Sequence, residues 1–206
     1  MQDIFEGGNK LPVIEEFYSL QGEGYNTGKA AYFIRVGGCD ICCSWCDSKI
    51  SWSPDLHSLT CIKDIINNIA TTPAKAVVVT GGEPLSYNLD PLCSGLKEKN
   101  IQTFLETSGA YPLSGVWDWV CLSPKKHTPP LPSVYNIAHE LKVVIFEDDD
   151  FNWAEEASKK VNSKCKLFLQ PEWSRYKQNI AKIVEYIKAN PKWCISLQAH
   201  KFMRIP

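Results

Sequence analysis

Short apolar segments recur along the chain and are separated by polar stretches that often contain glycine or proline. Eight of these segments are rich in β-branched, aromatic or leucine residues, a composition typical of buried strands. The predicted strands cover residues 13–18, 31–36, 76–80, 102–106, 119–122, 141–146, 166–169 and 194–197.

Between several of these strands, apolar residues follow the i, i+3, i+4, i+7 spacing of one helical face. The strongest pattern, from Ile62 to Ile69, has Ser58 or Thr60 as a candidate N-terminal cap, and a second begins after Ser174. The predicted helices cover 62–69, 89–99, 153–161 and 180–187.

The alternation of strands and helices predicts an α/β fold with a parallel sheet and helices outside it. A closed eight-unit barrel usually takes about 250 residues. This chain has 206 and shows no repeat or linker, so a partial or shortened (β/α) barrel forming one domain over 1–206 is expected. The proline-rich segment 127–132 is expected to be a surface loop, and the acidic segment 147–150 a solvated connection.

Composition changes this picture little but excludes some partners. Hydrophobic residues make up 44% of the chain and charged residues 22%, with a net charge of -1, as in ordinary globular domains. Nucleic acid or an anionic membrane would call for a basic excess, so neither is expected as a partner. The N-terminus lacks the pattern of a signal peptide and no apolar run is long enough to cross a bilayer, so a cytoplasmic location is expected.

Four of the nine cysteines lie in the stretch CDICCSWCD, residues 39–47. A structural zinc site normally takes four ligands from two separated pairs, and no second Cys-x2-Cys or histidine pair follows. A dithiol redox pair of Cys43 and Cys46 would leave Cys39 without a role. The third interpretation is an iron–sulfur cluster.

Cys39, Cys43 and Cys46 have the spacing Cys-x3-Cys-x2-Cys. Three thiolates at this spacing suit three corners of a [4Fe–4S] cube, whereas clusters for electron transfer take four cysteines. One iron would then lack a protein ligand. Cys42 does not fit the triplet and is expected to point away.

Other candidate motifs follow predicted strands. Gly81-Gly-Glu-Pro84 follows the strand 76–80, and its two glycines let a ligand approach the backbone closely. The segments 105–109, 123–125 and 170–173 likewise come at strand ends. In α/β barrels, the loops at the carboxyl ends of the strands contact the ligand.

The cysteine spacing, the neighbouring Trp45 and the GGEP motif together resemble the radical S-adenosylmethionine (SAM) family. The resemblance implies that Cys39, Cys43 and Cys46 hold a [4Fe–4S] cluster and that SAM chelates its fourth iron. It further implies that the residues contacting SAM are Trp45, Cys46, Asp47, Gly82, Ser123, Pro124, Lys125, Gln170, Pro171, Glu172 and Trp173.

Two further segments, FYSLQGEG (17–24) and the terminal HKFMRIP (200–206), resemble the 7-carboxy-7-deazaguanine synthase (QueE) family of the radical SAM superfamily. The resemblance implies ring contraction of 6-carboxy-5,6,7,8-tetrahydropterin with loss of ammonia, a carbon–nitrogen lyase reaction in queuosine and deazapurine biosynthesis. It implies Mg²⁺ bound by Ser48, a flavodoxin or ferredoxin as electron donor, and a homodimer. The implied substrate-binding residues are Leu20, Gln21, Gly22, Arg35, Thr80 and Pro206.

Glu23 and His200 are expected beside the substrate rather than as catalysts, and the other three histidines are expected to be structural. Two alternatives to the synthase stay open. A glycyl-radical-enzyme activating enzyme would share the cysteine spacing but act on a protein and not bind a pterin. A noncatalytic metal or redox protein would bind zinc through the same cysteines and leave residues 81–84 without a function.

Overall fold

The computed structural model describes residues 6–206, which form one open sheet with helices packed on its outer side. The predicted single domain, 1–206, includes residues 1–5, which lie outside the described residues. The strands within the described part of the chain follow the order β3-β1-β2-β4-β5-β6-β7-β8-β9. Their bounds are β1 Lys10–Leu20, β2 Ala30–Val36, β3 Leu59–Cys61, β4 Ala76–Gly81, β5 Gln102–Thr107, β6 Trp119–Leu122, β7 Glu140–Ile145, β8 Lys166–Pro171 and β9 Trp193–Ile195.

Four of the six helices within residues 6–206 connect successive parallel strands, whereas the first precedes β4 and the last follows β9. Their bounds are α1 Ile62–Ala70, α2 Asp90–Glu98, α3 Pro132–Ile137, α4 Asp150–Ser158, α5 Tyr176–Ala189 and α6 Ala199–Met203. From β2 to β9 all neighbouring strands are parallel, and the sheet stays open because β3 and β9 are its edges. The predicted partial (β/α) barrel is confirmed. Within the described residues, no helix has the length and apolar character to cross a bilayer.

Part of the predicted sheet was wrong. β1 runs antiparallel to β2 and β3, and β3 was missed because it has only three residues. α3 was also missed, since the proline-rich segment is a loop only as far as Leu131 and Pro132 then occupies the first helical turn. Proline is tolerated there because the amide it lacks would have no partner within the helix.

The predicted helix caps were also wrong. Neither Ser58 nor Thr60 caps α1, which follows β3 directly with Cys61 at the capping position. Ser174 lies inside a short turn, Trp173–Arg175, whose amides are capped by the Glu172 carboxylate. Asp150 is buried rather than solvated, because its carboxylate accepts hydrogen bonds from the backbone amides of Phe146 and Glu147.

Two apolar layers outside the sheet and a smaller one inside it form the core. The first outer layer packs α1 and α2 against β2 and β4, and the second packs α3, α4 and α5 against β7 and β8. Inside the curve of the sheet, Phe33, Val78 and Phe104 form a small apolar floor. The carboxyl ends of the parallel strands open above this floor, where a barrel of this kind places its ligands.

Candidate active site

A cavity of about 660 Å³ occupies the concave side of the sheet, at the carboxyl ends of the strands. Its lining comes from β1, β2, β4, β5 and β7, from β8, and from the loops that follow these strands. Most of the residues predicted to bind cluster, SAM, Mg²⁺ or pterin lie in this lining. They are Leu20, Gln21, Gly22, Arg35, Cys39, Cys43, Trp45, Cys46, Asp47, Ser48, Thr80, Gly82, Ser123, Lys125, Gln170, Pro171, Glu172, Trp173 and Pro206.

Pro124 is the predicted SAM-binding residue that does not line the cavity, since it is buried behind Ser123 and Lys125. Glu172 lines the cavity, but its carboxylate accepts hydrogen bonds from Ser174 and Arg175. Its side chain therefore stabilises the turn that carries Trp173.

The loop after β2 carries the cysteine triplet and is held by hydrogen bonds to its backbone. The Tyr87 hydroxyl donates to the Gly37 carbonyl at 2.7 Å, and His127 Nε2 lies 2.7 Å from the Ile41 carbonyl. The Gly38 and Cys39 amides donate to the carbonyls of residues 51 and 52. The loop is thus fixed over its first part, residues 37–41, although it has no regular secondary structure.

Cys39, Cys43 and Cys46 face the same cavity, whereas Cys42 is exposed and outside its lining. Cys42 has a φ of 50°, in the left-handed region that few non-glycine residues adopt. Burial chiefly raises the pKa of the Cys39 and Cys43 thiols. Three soft sulfur donors on one wall fit an iron–sulfur cluster, which cysteine thiolates hold.

Gly81 and Gly82, at the end of β4, let the loop after β4 pack closely against the cysteine loop. A Cβ on Gly82 would lie 2.2 Å from the carbonyl oxygen of Gly38, and Gly81 has a φ of +131°. No other residue type would fit at Gly82 without moving the cysteine loop.

Glu83 joins the ends of β4 and β5. Its buried carboxylate accepts hydrogen bonds from the Leu85 amide, the Thr107 hydroxyl, and the amide and hydroxyl of Ser108. The structure therefore gives the third residue of the GGE motif a bracing role between two strands.

Lys125 is half-buried and lies against the cysteine loop. Its ammonium donates to the carbonyl and hydroxyl oxygens of Ser123 and lies 5.4 Å from the centre of the Trp45 ring. Burial chiefly lowers the pKa of Lys125. A cation near Cys43 offsets part of the negative charge that bound thiolates would bring.

A buried ion network lies deeper in the cavity. The Lys142 ammonium, whose side chain is 5% exposed, lies 2.6 Å from a carboxylate oxygen of Glu23 and 2.9 Å from one of Glu106. Gln170 and Gln198 donate further hydrogen bonds to Glu23. Burial alone would raise the pKa of Glu23, but Lys142 and these hydrogen bonds lower it to about 2.

The C-terminal segment closes the open side of the cavity. The Ala199 amide donates to the Gly22 carbonyl at 2.8 Å, and the Ser19 hydroxyl donates to an oxygen of Pro206 at 3.2 Å. A Cβ on Gly22 would lie 2.2 Å from His200 Nδ1. The segment thus brings Pro206 to the mouth of the cavity and His200 against β1.

Metal-binding geometry for a single ion is not preformed within residues 6–206, where no group of three histidine, cysteine or acidic side chains is suitably placed. Ser48 lines the cavity, and its side chain makes no capping hydrogen bond to the turn that follows it. Its hydroxyl is therefore open to a ligand.

Two features were not predicted from the sequence. Lys142 was not recognised as part of the cavity, although a lysine inside a predicted apolar strand was a usable signal, whereas Glu106 lies in the segment 105–109 that was expected near the ligand. Glu15 also lines the cavity and pairs with Arg35. No sequence pattern indicates that contact, because it depends on how β1 pairs with β2.

Comparison with known proteins agrees with this geometry. The family described as a 4Fe-4S single cluster domain matches residues 20–119, which include the cysteine loop and the GGEP motif. A 7-carboxy-7-deazaguanine synthase of Flavobacterium psychrophilum is 54% identical over 206 residues, covering 100% of this chain and 98% of the relative. This chain belongs to the 7-carboxy-7-deazaguanine synthase family.

Other members of the 7-carboxy-7-deazaguanine synthase family support the assignment. A synthase of Synechocystis sp. is 45% identical, covering 94% of this chain and 93% of the relative. The crystal structure of QueE from Escherichia coli superposes with a TM-score of 0.86 at 29% identity, covering 95% of this chain and 97% of that one. The predicted radical SAM fold is confirmed, and the [4Fe–4S] cluster and SAM are cofactors of this chain.

Proposed function

We propose that this chain is a carbon–nitrogen lyase that converts 6-carboxy-5,6,7,8-tetrahydropterin to 7-carboxy-7-deazaguanine with loss of ammonia, for queuosine or another deazapurine. The observation that carries the proposal is one cavity lined both by the cysteine triplet and by residues suited to a carboxylated pterin. The relatives named above carry the name of this activity. Neither the glycyl-radical activating enzyme nor the zinc-binding protein is supported by them.

In this proposal the cluster is held by Cys39, Cys43 and Cys46, with SAM between Gly82, Lys125 and Trp173. When bound, the cluster and SAM supply the radical chemistry that removes a hydrogen atom from C6 of the pterin. The chain itself binds and orients the two molecules and keeps water from the reacting carbon. The C-terminal segment serves this exclusion by closing the open side of the sheet.

The pterin is proposed to lie between β1 and the end of β4. Gln21 offers an amide with both donor and acceptor atoms to the amide-like edge of the ring, and its orientation is fixed because its Nε2 donates to Glu106 at 3.3 Å. Arg35 offers a planar pair of donors to the substrate carboxylate. Thr80, Gly22 and Pro206 complete the lining on this side.

Mg²⁺ is proposed to bind at Ser48, because a hard cation prefers oxygen ligands and retains several waters. Ser48→Ala should raise the Mg²⁺ concentration needed for half-maximal product formation and leave the iron content unchanged. Ser48→Thr is the matched control, since it keeps the hydroxyl. If Ser48→Ala showed the magnesium dependence of the wild type, Ser48 would not be a ligand.

The direct test of the proposed function is an anaerobic assay with mass identification of the product. Reconstituted protein, SAM, Mg²⁺, the carboxytetrahydropterin and a reductant should yield 7-carboxy-7-deazaguanine and 5′-deoxyadenosine. Formation of 5′-deoxyadenosine without a new purine would count against this substrate.

We further propose that the protein is a cytoplasmic homodimer reduced by a flavodoxin or ferredoxin. Analytical ultracentrifugation would check the homodimer, and the same assay with each donor would check the source of the electron.

A further inference from the structure

The pairing of β1 with β2 turns the Glu15 side chain into the cavity. Phe17 is opposite Phe33, and two residues earlier on β1 Glu15 is opposite Arg35. Side chains two residues apart on a strand share a face, and all four of these residues line the cavity. A β-bulge follows only beyond this pair, between Glu15 and Val13.

The Glu15 carboxylate binds the Nε edge of the Arg35 guanidinium. Arg35 Nε donates to Glu15 Oε1 at 2.6 Å. Within residues 6–206, the two terminal nitrogens of Arg35 make no hydrogen bond. The guanidinium is planar and rigid, so a partner fixed at Nε also fixes the direction of the end-on pair of donors.

We propose that Glu15 is a positioning residue that presents the end-on donor pair of Arg35 to the carboxylate of the substrate. The inference rests on the proposed function, in which Arg35 binds that carboxylate. A free arginine loses rotamer freedom when it binds, and one already held by Glu15 loses less. Two parallel N–H···O bonds also require the planes of the two groups to match.

The negative charge of Glu15 works against this benefit. Its carboxylate and that of the substrate share one guanidinium, so they repel each other, although both side chains of the pair are partly exposed and solvent weakens the repulsion. A glutamine at residue 15 keeps an oxygen for Arg35 Nε and removes the repulsion. The Glu15→Ala and Glu15→Gln variants therefore separate the effect of orienting Arg35 from the effect of the charge of Glu15.

Equilibrium binding tests the proposal without turnover. Holoenzyme with cluster, SAM and Mg²⁺ but no reductant is titrated with fluorescent 6-carboxypterin and, separately, with pterin that lacks the carboxyl group. Glu15→Ala should weaken binding of 6-carboxypterin about two- to fivefold, as expected for a partly exposed arginine contact, and leave binding of pterin unchanged. Glu15→Gln should bind 6-carboxypterin at least as tightly as the wild type.

Glu16→Gln is the matched control, because it makes the same charge change one residue further along β1. Glu16 faces the outer side of the sheet, where its carboxylate accepts a hydrogen bond from Asn68. The Glu16→Gln variant should bind both pterins with the affinity of the wild type. In turnover, Glu15→Ala should raise KM for the substrate with little change in kcat.

Three results would overturn the proposal: unchanged affinity in Glu15→Ala, equal weakening of both pterins, or a Glu15→Gln variant as weak as Glu15→Ala. Failure of the proposed function has a different signature. In that case the wild type would form no 7-carboxy-7-deazaguanine, whatever residue 15 is. A wild type that forms product alongside a Glu15→Ala variant with normal affinity would refute the role of Glu15 alone.

Discussion

Cys43→Ala should abolish formation of both 5′-deoxyadenosine and 7-carboxy-7-deazaguanine, whereas Cys42→Ala should retain both. Cys43 lines the cavity with Cys39 and Cys46, and Cys42 is exposed outside it. Removal of one of three ligands leaves a cluster with only two protein sulfurs. Iron content, the absorbance of the cluster and both products would be measured in parallel.

The pair of cysteine variants is closely matched, since the two residues are adjacent and the chemical change is the same. Cys43 is buried, so Cys43→Ser serves as a second variant that keeps nearly the same volume. Thermal unfolding of the metal-free proteins would show whether either variant misfolds. Loss of both products in Cys42→Ala and their retention in Cys43→Ala would show that the ligands are assigned in the wrong register.

Lys142→Met should reduce the free energy of unfolding by about 3–5 kcal/mol, because it leaves the largely enclosed Glu23 and Glu106 carboxylates without their cation. Chemical denaturation at pH 7 would measure the change. Product formation should fall too, since Gln21 and Gln198 are oriented by these carboxylates. Lys182→Met is the control: its pair with Asp148 is largely exposed and should contribute less than about 1 kcal/mol.

The pH dependence of stability gives a second test of the same network. The pKa of Glu23 is lowered from 4.5 to about 2 on folding. A lowered carboxyl pKa stabilises the folded state above pH 4.5, and this contribution, ~3 kcal/mol, is lost as the pH falls towards 2. The Lys142→Met variant should lose much of this dependence of the free energy of unfolding on acidic pH. An unchanged profile would mean that Lys142 does not control the ionisation of Glu23.

The sequence predicted most of the strands, and nearly all of the predicted site residues line the cavity, because the motifs are local. A parallel sheet brings the carboxyl ends of its strands to one edge, so motifs that follow strands meet there whatever the details of packing. The GGEP motif after β4 and residues 123–125 after β6 were located in this way. Pro124 was the exception, since it is buried away from the cavity lining.

Features that depend on pairing across long distances were not predictable. The Lys142 network joins residues from β7, β5 and the loop after β1, and no local pattern relates them. The antiparallel pairing of β1 with β2 and its register decide that Glu15, rather than Glu16, faces Arg35. The predicted cap at Ser174 was wrong for a local reason. Ser174 lies within the turn before α5, and the Glu172 carboxylate accepts the hydrogen bonds from the amides of that turn.

The central claim is that SAM and the carboxylated pterin meet in one cavity above the cysteine loop. The most direct measurement is a single anaerobic incubation with substrate that carries deuterium at C6. The masses of both products are then determined by mass spectrometry. The account predicts 5′-deoxyadenosine that has gained deuterium, formed together with 7-carboxy-7-deazaguanine. Unlabelled 5′-deoxyadenosine, with the labelled pterin recovered intact, would contradict it.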